Sequence, residues 1–284
     1  MALKPETDAI SGVTTTGHDW DGIKELDNPM PAWWIYTFYA CIAFAAVWVV
    51  FYPSLPFVRG TLGYTGRSDF EAAMEVEKAR TAPMLARIRA ATPAAIAAAP
   101  ELRGFALAGG RVAFANNCAG CHGAGGQGAV GGFPSLADDD WIYGGSFDDI
   151  QKTIAVGVRN GEHPDARGVA MPAFAQAGLT PAQIGTLADH VLSLSGAGPA
   201  SASGEALYAE NCVACHGERG EGNRELGAPR LNDQVWLYGG DKASISRTIA
   251  MARAGVMPAW GSRLDPAMVN MLTVYVHALG GGEK

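Results

Sequence analysis

Cys118-Ala119-Gly120-Cys121-His122 and Cys212-Val213-Ala214-Cys215-His216 carry the most specific chemistry in the sequence. Two thiols three positions apart, followed at once by an imidazole, form the attachment sequence of c-type haem. The thiols add across the two porphyrin vinyl groups, and the adjacent histidine reaches the iron from one face. Zinc or a redox dithiol are the alternatives. A zinc site would need thiolates and imidazoles from both stretches to converge on one metal. Here each stretch has its own contiguous histidine and runs into a glycine-rich segment. The expectation is two haem c groups, bound covalently by Cys118, Cys121, Cys212 and Cys215, with His122 and His216 on the irons.

A c-type electron carrier takes a second axial ligand, and a His/Met pair raises its potential. Met171-Pro172-Ala173-Phe174 and Met257-Pro258-Ala259-Trp260 recur late in each half, which makes Met171 and Met257 the expected sixth ligands. His163 is a rival in the first half, without a counterpart in the second. Met251, Met268 and Met271 read as core filler. His190 and His277 are expected at the surface or as satisfied core residues, and His18 in a tail. Trp141, Tyr143, Trp236 and Tyr238 either donate to haem carboxylates or pack on the ring. No catalytic constellation is visible, so six-coordinate irons would move electrons one at a time.

The elements that must position these residues are duplicated. Trp141-Ile142-Tyr143-Gly144-Gly145 and Trp236-Leu237-Tyr238-Gly239-Gly240 are offset by 95 residues, the cysteine pairs by 94. Lys152-Thr153-Ile154-Ala155 answers Arg247-Thr248-Ile249-Ala250. Matched features in one order imply an internal duplication, with one haem domain over 101–196 and another over 203–284, joined by small residues. Helices are expected near 102–116, 147–158 and 205–211. Two more begin after the caps Thr180-Pro181 and Asp265-Pro266.

Upstream, no charged residue occurs between Asp27 and Arg59. Residues 32–53 therefore read as one membrane helix, with Trp33, Trp34 and Tyr52 at its interfaces and Pro53 and Pro56 ending it. A cleaved signal peptide would have a short basic start and a shorter apolar core. Residues 1–31 read as a polar, mobile, cytoplasmic segment, with a short amphipathic turn at 21–26. Residues 54–100 read as a periplasmic connector. Within it a helix capped around Ser68–Glu71 ends near Thr81, and Pro83, Pro93 and Pro100 punctuate short helices. Cys41 lies in the apolar run as inert packing. Over 284 residues the net charge is −7, which disfavours nucleic acid and suits a basic protein partner. Asp138, Asp139, Asp140, Asp148 and Asp149 are the candidate docking surface. Because c-type haem is attached on the outer side of a bacterial inner membrane, the C-terminal domains belong in the periplasm. The fold class is all-α: one N-terminal transmembrane helix and two tandem cytochrome c-type domains.

His18-Asp19-Trp20-Asp21-Gly22-Ile23-Lys24-Glu25-Leu26-Asp27-Asn28-Pro29-Met30-Pro31-Ala32-Trp33-Trp34 closely resembles the N-terminal signature of the dihaem subunit III of cbb3-type cytochrome c oxidases. The anchor, alanine-rich connector and two haem modules match as well. The resemblance implies electron entry from cytochrome bc1 or a soluble cytochrome c. Electrons would pass on to the monohaem subunit and the haem–copper subunit that reduces oxygen, and Trp33, Trp34 and the anchor would dock on those subunits in the lipid bilayer. Spacing alone is compatible with self-contained modules, His122 with Met171 and His216 with Met257. The resemblance implies the exchange, Met171 on the haem of His216 and Met257 on that of His122. A stand-alone membrane-tethered cytochrome c4-like shuttle and an electron-accepting subunit of a periplasmic dehydrogenase are the rivals.

Overall fold

The computed structural model describes residues 4–54, 56, 57 and 59–283. Residues 1–3 and 284, the outer ends of the expected first and last segments, lie outside the described residues, as do 55 and 58. The chain divides into two compact units, Met1–Ala79 and Arg80–Lys284.

In the first unit the polar N-terminus is a folded hairpin and not a tail. Strands β1 (Thr15–Trp20) and β2 (Ile23–Leu26) pair antiparallel, Trp20 opposite Ile23. The turn between them is Asp21-Gly22, with φ of 54° and 90°. An Asp-Gly pair at positive φ is the turn that matches strand twist. Glu25 accepts hydrogen bonds from Trp20 Nε1 (2.9 Å) and Thr16 Oγ1 (3.1 Å), and Lys24 pairs with Glu6. Helix α1 (Ala32–Phe51) follows, twenty residues of mean hydropathy 1.9 with none buried. At about 1.5 Å per residue it is long enough to cross a hydrocarbon core. Cys41 is exposed on it.

Helix α2 (Gly66–Ala90) runs well past Thr81, with Pro83 inside it. Its start is fixed by Thr65 and Ser68, whose side chains each accept the other's backbone N–H (2.9 and 3.1 Å); Ser68 is not the sole cap. An interior proline costs about 3 kcal/mol, and the residues beyond it offset that cost. Ile88 is fully buried beside Ile96, Leu102 and Met271. Asn270 Nδ2 donates to the Ile88 and Ala91 carbonyls at 2.9 and 3.1 Å, and Arg89 pairs with Asp265 at 2.7 Å.

The rest of the second unit is helical. In order come α3 (Pro93–Ala98), α4 (Pro100–Asn117), the single turn α5 (Ala119–His122) and α6 (Phe147–Val156). Then follow α7 (Pro181–Leu194), α8 (Ala202–Asn211), the turn α9 (Val213–His216), α10 (Lys242–Met251) and α11 (Pro266–His277). Thr92, Ser146, Thr180, Ser201, Asp241 and Asp265 accept backbone N–H groups at the starts of their helices, as capping chemistry requires. Thr180 and Gln183 complete a capping box.

The helices pack across the repeat boundary. α11, the last helix, lies on α4, α6 and α3, while α7 lies on α8 and α10. One core therefore joins Ala113, Phe114, Ile150 and Ile154 to Val269, Leu272 and Val276; another joins Leu187, Ala188 and Val191 to Tyr208, Ile245 and Ile249. Met271 is buried, as expected of core filler, whereas Met251 is 61% exposed at the end of α10.

The closest approach of α4 and α11 is at Gly110, where a Cβ would stand 2.4 Å from the Met271 carbonyl and 2.7 Å from Tyr275 Cβ. Gly104 of the same helix faces open space. Gly110→Ala is expected to destabilise the protein by about 1–3 kcal/mol through overpacking. Gly104→Ala should stabilise it by up to about 1 kcal/mol through helix propensity. Denaturation of the two variants in parallel checks the opposite signs.

Candidate functional site

Two sites of the same design stand at the ends of α4 and α8. Cys118 closes α4 by donating its N–H to the Phe114 carbonyl (2.8 Å); Cys212 does the same to Tyr208 (2.8 Å). The single turns α5 and α9 then place Cys121 and His122, and Cys215 and His216, on one side. Gly123 and Gly217, each at φ 78°, end the turns. None of the four cysteines is paired in a disulfide. Burial pushes the Cys118 and Cys212 thiols up to about 11, helped by the neighbouring Cys121 and Cys215.

The histidines are oriented by the glycine-rich loops. Gly128 N–H donates to the His122 carbonyl at 2.7 Å and Gly222 N–H to that of His216 at 2.9 Å. The loops then turn back so that Pro134 and Pro229 present their carbonyls to His122 Nδ1 (3.0 Å) and His216 Nδ1 (2.9 Å). A carbonyl only accepts, so Nδ1 carries the proton and Nε2 keeps its lone pair. That is the tautomer a metal-bound histidine needs, and the bond also raises ligand basicity. Burial lowers both histidine pKa values, opposed by these hydrogen bonds. Two unpaired thiols and one neutral, oriented imidazole per turn fit a covalently held haem at each site. Among the described residues no three His, Cys, Asp or Glu side chains cluster as a metal site.

The methionines lie across the repeat boundary. Met257 and Cys118 pack, with Trp141 and Trp260, against one core built from both repeats; Met171 and Cys212 pack, with Trp236, against the other. His163 is half-buried, and its Nδ1 accepts from Asp165 N–H at 3.1 Å. His190 is not a surface residue: it is buried beside the Tyr208 ring, and its Nδ1 has no partner among the described residues. His277 stacks on Phe147 and bonds the Glu283 carbonyl at 2.8 Å. Trp141 gives its Nε1–H to the Gly281 carbonyl and is thereby committed.

The chain matches three family models: the N-terminal domain of cbb3 oxidase FixP over residues 12–59, cytochrome c over 107–195, and cbb3-type oxidase subunit III over 199–276. It is 48% identical to the cbb3-type cytochrome c oxidase subunit FixP of Bradyrhizobium sp. (strain ORS 278), with both chains covered in full. It is 49% identical to subunit CcoP of Azospirillum sp. (strain B510) over 97% of this chain and 98% of that one. To CcoP of Cereibacter sphaeroides it is 42% identical over the whole of both. The chain belongs to the FixP/CcoP family. A mostly helical chain with one candidate membrane helix and two cytochrome c domains is the expected architecture, and cytochrome c domains bind haem c.

The structure adds residues to this FixP/CcoP site that the sequence reading passed over. Arg167 is 12% exposed, with Nη1 on the Asp149 carbonyl (3.1 Å) and Thr153 Oγ1 (3.0 Å) and its guanidinium over the Tyr143 ring. Arg253 repeats this on the Ser244 carbonyl (2.7 Å), Thr248 Oγ1 (2.6 Å) and the Tyr238 ring. Arg159 Nη1 donates to Tyr143 Oη at 3.0 Å. The signal was available: each arginine stands four residues before its methionine, Arg167 before Met171 and Arg253 before Met257. The tyrosines are reciprocal. Tyr143 Oη lies 2.3 Å from where a Cβ on Gly227 would be, and Tyr238 Oη 2.5 Å from one on Gly132, glycines at the same place in the two loops.

Of the acidic candidates, Asp149 is tied to Arg167 (3.3 Å) and to Ser146 Oγ (2.7 Å). Asp140 is half-buried, and its pKa is raised by desolvation first and then by Asp233 and Asp138, against the pull of Arg230. The folded state therefore holds this proton more tightly than the unfolded chain. Stability from this group falls as pH rises from the unfolded carboxylate range through the raised folded value. Asp140→Asn should stabilise the protein at neutral pH, with the gain disappearing at pH below the ordinary Asp value. Paired melting curves across pH 3–7 check it; a gain that persists at the acidic end would contradict it.

Proposed function

We propose that the chain is the dihaem electron-entry subunit of a cbb3-type terminal oxidase and does no substrate chemistry of its own. The observation that carries this is the pair of identical Cys-Cys-His turns, each with its histidine fixed through Nδ1, on a FixP/CcoP chain with one membrane-length helix. Two haem c groups would be held by Cys118 and Cys121, and by Cys212 and Cys215. When bound, haem supplies one-electron redox chemistry at a potential set by its axial ligands. The chain's part is to hold, orient and shield it. His122 and His216 supply the proximal nitrogens. Met257 serves the His122 site and Met171 the His216 site, in accord with the cores in which these side chains pack. These histidines and methionines would hold both haem irons, leaving oxygen chemistry to a haem–copper subunit. Arg167 and Arg253, cations held against Tyr143 and Tyr238, suit the haem carboxylates.

The N-terminus would lie in the cytoplasm, α1 in the inner membrane against the haem–copper and monohaem subunits, and residues 101–284 in the periplasm. Electrons would arrive from cytochrome bc1 or a soluble cytochrome c. Asp138 and Asp139, with Asp148, form the docking surface that remains once Asp149 is committed to Arg167. Copper and b-type haem retained on mild-detergent purification of the chain would support the oxidase assignment. Purification with neither would point to a free-standing shuttle and refute it.

Replacing Cys121 or Cys215 by Ser is expected to leave about one fully attached haem per chain, read by the alkaline pyridine assay on denatured protein. The pairing is tested in the Cys212→Ser/Cys215→Ser background, where only the His122 haem remains. There the weak far-red sulfur-to-iron band of the oxidised protein should survive Met171→Leu and vanish with Met257→Leu. The reverse pattern would mean that each repeat supplies its own methionine.

A further inference from the structure

The two methionine loops are held very unequally. Fourteen residues separate Val156, the end of α6, from Met171, but only five separate Met251, the end of α10, from Met257. The extra length sits before Arg167, since Arg167 and Arg253 keep the same distance to their methionines. This inserted segment bonds the backbone of Arg167 in its own loop (Arg167 N–H to Gly157 carbonyl 2.9 Å, Arg159 N–H to Arg167 carbonyl 3.0 Å) and also reaches across to Met257.

Val158 and Met257 exchange both backbone hydrogen bonds at 2.9 Å. Asn160 Nδ2 bridges the Met257 carbonyl (3.0 Å) and the Val156 carbonyl at the end of α6 (2.9 Å). Arg159 Nε donates to the Gly255 carbonyl at 2.9 Å. Arg159 does so from φ 47°, a left-handed conformation that L side chains avoid and that surrounding contacts must hold in place. Gly157 lies so close beneath that a Cβ would be 2.4 Å from the Met257 carbonyl. Downstream, Trp260 and Gly261 donate to the Ile154 and Ala155 carbonyls at 3.0 and 2.9 Å.

The other loop has the last of these devices and one bond upstream, from Val169 N–H to the Leu226 carbonyl at 3.1 Å. Phe174 and Ala175 donate to Ile249 and Ala250, at 3.2 and 3.3 Å. Among the described residues, the backbone of Met171 itself makes no hydrogen bond. Arg253, the counterpart of Arg167, sends its side chain to its own helix.

We propose that Asn160, with Arg159, is a positioning residue for the Met257 ligand: the insertion of the first repeat clamps the methionine loop of the second, so the Met257–iron bond resists exchange and Met171 is the ligand that yields first. The proposal rests on the assignment of Met171 and Met257 as sixth ligands. The exchange considered is simple substitution on the oxidised protein, an imidazole nitrogen replacing the thioether sulfur with no electron or proton transferred. A thioether whose main chain is fixed stays beside the iron and rebinds; one on a loosely held loop swings away.

The test uses the full chain with its haems, oxidised, in detergent, titrated with imidazole while the far-red sulfur-to-iron band is followed. In Met257→Leu the remaining band reports Met171, and in Met171→Leu it reports Met257. The Met257 band is expected to need about tenfold more imidazole, the effect of one to two hydrogen bonds. Asn160→Asp keeps the Oδ1 that accepts from Glu162 and His163 N–H but replaces the Nδ2 donor. Added to Met171→Leu it should lower the imidazole midpoint about five- to tenfold; added to Met257→Leu it should leave the midpoint unchanged. Equal midpoints for the two methionines would overturn the proposal without any change at Asn160, as would an Asn160→Asp effect on both bands or on neither. If Met171→Leu and Met257→Leu do not each remove about half the band before imidazole is added, the ligand assignment itself fails. That outcome is distinct from the others and takes the proposal with it.

Discussion

The short connection between α7 and α8 governs how this protein packs. Seven residues, 195–201, separate Leu194 from Ala202, and so short a link makes the two helices neighbours. Once α7 lies on α8 and α10, the apolar faces of α4 and α6 need another cover, and α11 supplies it. That explains why α11 is apolar nearly all round: Ala267, Val269, Met271, Leu272, Val274 and Val276 are all buried. A helix with a single apolar stripe has one neighbour; one buried on all sides lies at the centre of a core. Each large apolar side chain so buried contributes about 1.5–3 kcal/mol relative to exposure, and neither repeat would gain this from α11 alone.

The features common to both sites are those closest in sequence to the cysteines. The turn, the glycine that ends it and the proline carbonyl on Nδ1 are matched almost atom for atom, because each arises within one loop of the repeat. The features that differ are those requiring long-range contacts. The segment 157–166 is nine residues longer than its counterpart in the second repeat, and it bonds the backbone of Met257 but not that of the methionine that follows it. Duplication thus supplied two equivalent histidine turns, whereas divergence of one connecting segment made the two methionine loops unequal.

Much of this was legible wherever a residue type has one local reason to be present. Thr180-Pro181 and Asp265-Pro266 announced helix starts that the structure shows, because capping depends on adjacent backbone N–H groups. The membrane-length helix was legible for the same local reason, from length and lack of charge. The hairpin escaped because Thr15–Trp20 lacks a clean alternation; Asp21-Gly22 was the signal that would have revealed it. The length of α2 escaped because Pro83 reads locally as a stop, while the residues that hold the helix beyond it, Asn270 and Asp265, are some 180 residues away in sequence. Met251 was indistinguishable from Met271 by type, and only tertiary packing separates the exposed one from the buried one. The arginines were hidden by the insertion, which changes the repeat offset just before Arg167.

The reciprocal tyrosines join these two levels. Tyr143 and Tyr238 each belong to the stretch leading into the helix that carries its own repeat's threonine, Thr153 or Thr248, and each lies under the arginine of its own repeat. Yet each ring closes on a glycine of the other repeat's loop, Gly227 and Gly132, two residues before the proline whose carbonyl fixes a histidine. At φ of 70° and 110° these glycines hold conformations other residues disfavour, and the tyrosine leaves no room for a Cβ. The carbonyl that sets one imidazole's tautomer is therefore braced by a side chain from the opposite repeat, just as one methionine loop is braced by the opposite insertion. Terminal helix, methionine and tyrosine all cross the boundary in both directions. The two sites stand or fall as one folded unit, although the sequence writes them as successive copies.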